Sequence, residues 1–318
     1  MTQVVFGAGP VGRAIAARLA GSAPEVVLVS RSGQGPTLEG VTRVAADAAD
    51  LDAVQQVSRG ATVIYNALNP AYHRWVSDWP PMAAALLTAA TAEDAVLVTV
   101  SNLYGYGPVT GSMTADLPLA APGVKGRVRA EMFEQARSAY EAGQAKTVEV
   151  RASDYIGPGA ESHMGERVVP RVLAGKSVKV IGAVDQPHSW TYPDDVATLA
   201  VACGSDPAAW GRAWHVPTNA ARTQQQVVAD FAAAASVPTP KVSAYPRWLL
   251  RAMGVFSPMI RELRETTFQF EAPFVLDSSA SQEHFGLAPT AWSTIIDATV
   301  ASYRDPASAD DHLALRPQ

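Results

Sequence analysis

Gly7, Gly9 and Gly12 are the residues whose types and spacing most directly imply chemistry. They stand in Val4-Val5-Phe6-Gly7-Ala8-Gly9-Pro10-Val11-Gly12, a G-x-G-x-x-G pattern after a short apolar run and before the helical pattern that Arg13-Ala14-Ile15 begins. A strand, a tight turn and a helix are expected. Gly7 permits the turn, Gly9 admits a pyrophosphate to the backbone, and Gly12 lets the helix pack closely on the strand. Phosphate oxygens would meet the unpaired N–H groups of the first helical turn, around Pro10 and Val11. With these flanks the pattern predicts a dinucleotide site rather than an incidental turn.

The next apolar run, Glu25-Val26-Val27-Leu28-Val29, reads as the second strand. A site for NAD wants a carboxylate at its end to hold the ribose 2′-hydroxyl. This chain has Ser30-Arg31-Ser32 there instead. A guanidinium forks onto phosphate oxygens and keeps its charge, and two hydroxyls suit the same group, so NADP(H) is expected over NAD(H).

Further strand-like runs position these residues: Val41 to Ala45, Thr62 to Ala67, Val96 to Val100, Thr147 to Arg151 and Arg212 to Val216, with helical stretches between them. That alternation predicts an α/β fold, a Rossmann-type doubly wound parallel sheet with a smaller C-terminal substrate lobe. Asp47 follows the third strand, where it either meets the adenine or caps a helix. Ala67, Leu68 and Asn69 close the fourth strand beside the cofactor groove. The expected NADP-binding part covers 1–150 and 186–218, the substrate lobe 151–185 and 219–304, and a mobile tail 305–318.

Composition narrows the classes. A chain of 318 residues, 48% hydrophobic and 17% charged, fits a folded soluble enzyme. A net charge of −5 without a basic run argues against nucleic acid as a partner. The single Cys203 excludes an internal disulfide and fits a reducing compartment, and the six His show no paired metal-ligand spacing. A core strand at the very start leaves no room for a signal peptide, and no apolar stretch reaches bilayer length, so a cytoplasmic protein without a bound metal is expected.

Taken together, the glycine turn, Ser101-Asn102-Leu103-Tyr104-Gly105-Tyr106-Gly107, Arg151 to Gly159, Trp190 to Ala197, Leu276 to Ser279 and Phe285 to Pro289 resemble the extended short-chain dehydrogenase/reductase superfamily, of the NAD-dependent epimerase/dehydratase type. The resemblance implies a nicotinamide coenzyme, a small-molecule substrate and a homodimer formed through the helices around Trp79 to Ala92 and Lys125 to Ala142. It also implies a Ser/Thr, Tyr and Lys set for proton transfer, and here the chain departs. Asn102 stands where the Ser/Thr belongs, beside Ser101, and the Tyr-x-x-x-Lys stretch falls on Lys125-Gly126-Arg127-Val128-Arg129. That stretch is similar to the Lys-x-x-(Ile/Val)-Arg of isoflavone reductase-like and NmrA-like members, which use the lysine as acid/base and prefer NADPH.

Lys125 and Arg129 lie one helical turn apart on one face. Arg129 would hold ribose hydroxyls beneath the nicotinamide. Its charge, burial and an oxidised ring would all disfavour an ammonium at Lys125, moving it toward the range useful for proton transfer. Asn102, Ser101 or Tyr104 would bind the polarised oxygen, and Tyr155 is a candidate replacement for the missing phenol. Around them His73, Trp75, Trp79, His163, Met164 and Trp190 are candidate substrate contacts, an aromatic set that suits a fairly apolar substrate.

The expected function is an NADP(H)-dependent reductase of a carbonyl or activated double bond. A nucleotide-sugar epimerase or dehydratase is the second reading. Members of that kind carry Arg near His188, a better fork for phosphate. A catalytically silent NADP-binding redox sensor is the third.

Overall fold

The computed structural model describes residues 2–160, 162–246 and 265–305. Its central feature is a seven-stranded sheet formed by β1 (Thr2–Phe6), β2 (Glu25–Ser30), β3 (Val41–Ala45), β4 (Ala61–Asn66), β5 (Val96–Asn102), Lys146–Ala152 and Ala213–His215. Two-residue β6 (Ser112–Met113) precedes β7 (Lys146–Ala152), and β8 (Asp154–Tyr155), β9 (Val178–Val180) and β10 (Trp190–Thr191) precede β11 (Ala213–His215). The spatial order is β11-β7-β5-β4-β1-β2-β3, with every pairing parallel. The order reverses between β1 and β4, so the ligand crevice of such a sheet lies at their C-terminal ends.

Alternation along the strands sorts the two faces. Val5, Val26, Leu28, Tyr65, Val98 and Val150 point to one side, where α1 (Pro10–Leu19) covers them with Val11, Ile15 and Leu19. Val4, Phe6, Val27, Val29, Ile64 and Leu97 point to the other side. α2 (Leu51–Val57) and α3 (Trp75–Ala92) cover them there, with Val54, Ala85, Leu86 and Ala89 buried. α4 (Val124–Glu141) packs beside α3. These strands are buried on both faces, as their nearly continuous apolar runs require.

A second core joins Ile156, Met164, Val168 and Val172 to Val227, Phe231, Ile295 and Val300. It is built from α5 (Val169–Leu173), α7 (Gln224–Ala235) and the helix Trp292–Arg304. Trp190 and Tyr192 belong to this core although they precede α6 (Pro193–Ser205), which covers the sheet. The change of core therefore falls within the stretch expected to be wholly nucleotide-binding. In the first turn of α6 the Asp195 carboxylate accepts from Thr290 N at 3.0 Å and Thr290 Oγ1 at 2.6 Å. The short strands pair in parallel as β10 with β8, β12 (Val242–Ala244) with β9, and β13 (Val275–Leu276) with β6. The expected tail lies outside the described residues beyond Asp305. Among the described residues, no helix is long and apolar enough to cross a membrane.

Within β7, Arg151 and Glu149 form a buried pair, Nε to Oε1 at 2.6 Å. Arg151 also donates to the Tyr106 hydroxyl at 2.6 Å and lies over the Phe133 ring at 4.4 Å. Removing one partner of such a pair strands the other charge. Glu149→Gln is expected to cost about 3–5 kcal/mol of stability, read as a lower denaturation midpoint; an unchanged midpoint would refute the role given to this pair.

Candidate active site

The glycine turn is built by backbone approaching backbone. Gly7 has φ +110°, and a Cβ there would lie 2.4 Å from the Ala67 carbonyl oxygen. A Cβ on Gly12 would lie 1.8 Å from the Gly7 carbonyl oxygen, so only glycine lets α1 approach. At Gly9 a Cβ would meet nothing within 4 Å. Gly9 is also the residue before the helix, no side chain caps this end, and Pro10 brings no N–H of its own. An open backbone at a helix N-terminus is what a pyrophosphate needs, so these residues fit the group. Arg13 Nε braces the turn on the Ala8 carbonyl at 2.8 Å.

At the end of β2 the three expected residues divide. Ser30 Oγ donates to the Gln34 carbonyl at 2.7 Å, and Ser32 Oγ accepts from Gln34 N at 3.3 Å. Both hydroxyls thus shape the turn, and Arg31 is left exposed. Asp47 accepts from Ala49 N at 3.0 Å in the turn before α2, whose cap is Asp50 rather than Asp47. Leu68 N–H is held by Asn66 Oδ1 at 3.3 Å beside the glycine turn, and the expected cofactor contact Asn69 is exposed.

Lys125 and Arg129 occupy successive turns of α4, both buried. Glu265 grips Lys125 twice: Oε1 accepts its backbone N–H at 2.6 Å and Oε2 faces Nζ at 3.5 Å. The carboxylate thereby caps α4 from 140 residues away, and it supplies a counter-charge that the reading of Lys125 from burial and Arg129 did not include. The Arg129 guanidinium lies 4.8 Å from the Trp75 ring centre and 4.2 Å from that of Trp79. Its Nε and Nη1 find no acceptor among the described residues. Burial pushes the Arg129 guanidinium below its ordinary value, with Glu149 opposing.

Above this pair the Tyr72 and Tyr104 hydroxyls meet at 2.8 Å, and Trp75 stacks on both rings. Burial raises the Tyr104 phenol well above its usual range, and Tyr155 likewise, with Arg129 opposing at Tyr155. Neutral phenols are hydrogen-bond donors, suited to an oxygen. Asn102 Oδ1 is held by Tyr104 N at 3.1 Å, and Ser101 is buried at the end of β5. A cavity of about 340 Å³ opens beside Lys125 and Glu265, between Tyr104 and Phe268.

The expected substrate contacts scatter. Trp75 and Trp79 are buried in the floor around Arg129, and Met164 is core. Trp190 is buried too, its Nε1 donating to the Arg222 carbonyl at 2.9 Å. His73 is exposed in the turn Tyr72–Arg74. His163 stands before a π-helical turn, Met164–Val168, and its Nε2 is buried without a partner among the described residues. The structure adds Tyr72, Asp154, His188, Glu265 and Gln269. Asp154 and His188 sat inside or beside recognised motifs; Glu265 and Gln269 carry no local signal.

A family model for the NAD dependent epimerase/dehydratase family matches residues 4–215. The chain belongs to that family. Among solved structures, MoeE5 in complex with UDP-glucose and NAD is 18% identical, with a TM-score of 0.79 over 97% of this chain and 100% of that one. DesIV, a dTDP-glucose 4,6-dehydratase from Streptomyces venezuelae with NAD and TYD bound, is 18% identical with a TM-score of 0.76 over 98% and 100%. A Thermus thermophilus UDP-glucose 4-epimerase in complex with NAD is 19% identical with a TM-score of 0.76 over 96% and 99%. These likenesses establish the Rossmann-type fold. No curated protein sequence matches this chain.

Two imidazoles predict how the fold responds to acid. Burial holds His163 at about 4, helped by Arg167, and burial holds His215 at about 4, against its bond to the Asp277 carbonyl. Below about 6.5 the unfolded chain takes these protons and the folded one does not. Stability is then flat above pH 6.5 and falls toward pH 4, by about 1.4 kcal/mol per pH unit per group. In urea titrations at pH 7.5, 6 and 5, His215→Gln should flatten this slope; a slope equal to that of the unaltered protein would contradict the assignment.

Proposed function

We propose that the protein seats a nicotinamide dinucleotide over the C-terminal ends of β1 and β4 and handles a hydroxyl- or carbonyl-bearing carbon of a small organic substrate. The observation that carries this reading is the uncapped start of α1 behind Gly9, where the backbone is open and a Cβ would touch nothing. Bound there, the nicotinamide supplies the hydride acceptor or donor. Arg129 holds ribose with its unpaired donors, Lys125 gives or takes the proton, and Glu265 keeps Lys125 in place. Ser101, Tyr104 and the Asn102 amide bind the substrate oxygen.

The family and the solved structures support epimerase or dehydratase chemistry, the reading placed second from sequence, better than a free-standing reductase. One observation keeps the reductase in view: Lys125 and Arg129 stand on one face of α4, where a tyrosine and lysine would be expected. Both readings need the same hydride and proton steps. Product analysis separates them, because an epimerase or dehydratase returns its coenzyme unchanged and a reductase consumes NADPH. A protein that binds coenzyme and turns over neither UDP-glucose nor any aldehyde, ketone or enone would be the redox sensor.

Arg31 supports NADP(H) over NAD(H). Calorimetry should show Arg31→Ala weakening NADP+ by about 10–100-fold, the worth of a charge-assisted phosphate contact, with NAD+ changed less than about twofold. Equal losses for both would refute the assignment. Lys125→Ala should lower kcat by about 10²–10⁴-fold with coenzyme affinity retained, and Lys125→Arg should not restore it. Turnover unaffected by Lys125→Ala would remove this residue from the chemistry.

A further inference from the structure

Tyr72 has no part in the chemistry above, yet it touches the groups that do. It stands half-buried in the turn between β4 and α3, its ring stacked on Trp75 at 5.0 Å and 29°. Lys125 Nζ lies 5.8 Å from the centre of the same ring. Trp75 in turn stacks on Tyr104 and carries the Arg129 guanidinium. Three rings therefore join the turn after β4 to both cations of α4 and to the turn Tyr104–Tyr106.

The polar contact is hydroxyl to hydroxyl. Tyr72 Oη and Tyr104 Oη are 2.8 Å apart, and the Gln269 amide donates to Tyr104 Oη. Two phenols bring two protons, and only one can lie between the oxygens. Where Tyr72 donates, Tyr104 Oη accepts twice and its own proton is released for a third partner. A hydroxyl that accepts two hydrogen bonds is polarised toward donating one. Tyr104 lines the cavity that Lys125 and Glu265 share. Burial keeps both phenols protonated, and the charge of Asp154 acts in the same direction. Arg129 opposes this at Tyr72 and is the smaller influence.

We infer that Tyr72 is a positioning residue: its hydroxyl donates to Tyr104 and turns the Tyr104 proton into the cavity, toward a carbonyl or alkoxide oxygen of the substrate beside Lys125. This inference rests on the coenzyme-dependent reading above and explains how Tyr104 performs the part given to it there. The phenol absent from α4 is thus replaced by one on the turn after β5, oriented from the turn after β4.

The test uses 4-nitrophenol, whose phenolate presents an oxygen anion on a flat ring and reports hydrogen bonds to that oxygen through its visible absorption band. Titrations at mildly alkaline pH, on protein alone and on protein saturated with NAD+ or NADP+, should show saturable binding with a blue-shifted band. Tyr104→Phe and Tyr72→Phe keep both rings. Each should weaken binding by about tenfold, the worth of one hydrogen bond, and reduce the band shift. The double variant should bind no more weakly than Tyr104→Phe alone, because Tyr72 acts through Tyr104. Circular dichroism confirms that each variant is folded. Should a Tyr104 variant fail to fold, the affinity and band of Tyr72→Phe decide alone. Absence of phenolate binding by the unaltered protein would overturn the inference. So would binding that either single variant leaves unchanged, or losses that add in the double variant. Failure of both coenzymes to bind in calorimetry would instead refute the functional reading, while the titrations of the protein alone still judge Tyr72.

Discussion

Gly12 approaches the Gly7 carbonyl so closely that no side chain fits between α1 and the turn after β1. The turn is pressed in the same way against Ala67 at the end of β4. The Gly7 N–H donates to the Val29 carbonyl and the Ala67 N–H to the Phe6 carbonyl, each within 2.9 Å. Three strand ends and one helix start are thus fixed to each other through backbone alone. Because main-chain geometry varies little, this unit sets the height of the α1 N-terminus above the sheet. The seat for a pyrophosphate, and the distance from it to Lys125 and Arg129, follow from that height. Side-chain packing elsewhere can change without moving it.

The site then has to hold cations in a dry environment, and it treats each one differently. Lys125 has a carboxylate from a remote segment. Arg151 has Glu149 two residues away on its own strand. Arg129 has chiefly the faces of Trp75 and Trp79. A desolvated cation–π contact contributes about 2 kcal/mol, while taking an ion out of water costs several. The rings therefore do not balance the guanidinium, and the more distant Glu149 only reduces the deficit. A buried cation with two idle donors is the kind of group that a bound hydroxylated ligand completes.

The sheet was legible because both faces are buried, which makes each strand a continuous apolar run with recognisable ends. The glycine turn was legible because its spacing encodes contacts of backbone with backbone. Partnerships between distant segments were not. Glu265 reads as one more acid in a helical stretch, and nothing near it announces that it caps α4. Trp75 and Trp79 looked like pocket walls because aromatics follow the fourth strand. Their spacing of four residues puts both on the inner face of α3, where they cover Arg129. His188 was weighed as a poor phosphate ligand without its partner Asp154, which only the pairing of β8 with β10 brings within reach.

That pairing locates the two halves of the site in different parts of the chain. The glycine turn belongs to the first 70 residues and is fixed by backbone. Asp154, His188 and Gln269 come from β8, from just before β10 and from the segment after Glu265, which is tied to the sheet by separate bonds. His215 Nδ1 donates to the Asp277 carbonyl at 2.9 Å, Asn219 to the Thr290 carbonyl at 2.8 Å, and Thr290 to Asp195. These ties are polar and local, unlike the apolar contacts that bury the sheet. Side chains such as Asp154, Gln269 and His188 can therefore be exchanged against that seam without disturbing the glycine turn. The glycine turn and that seam are thus held by separate sets of contacts.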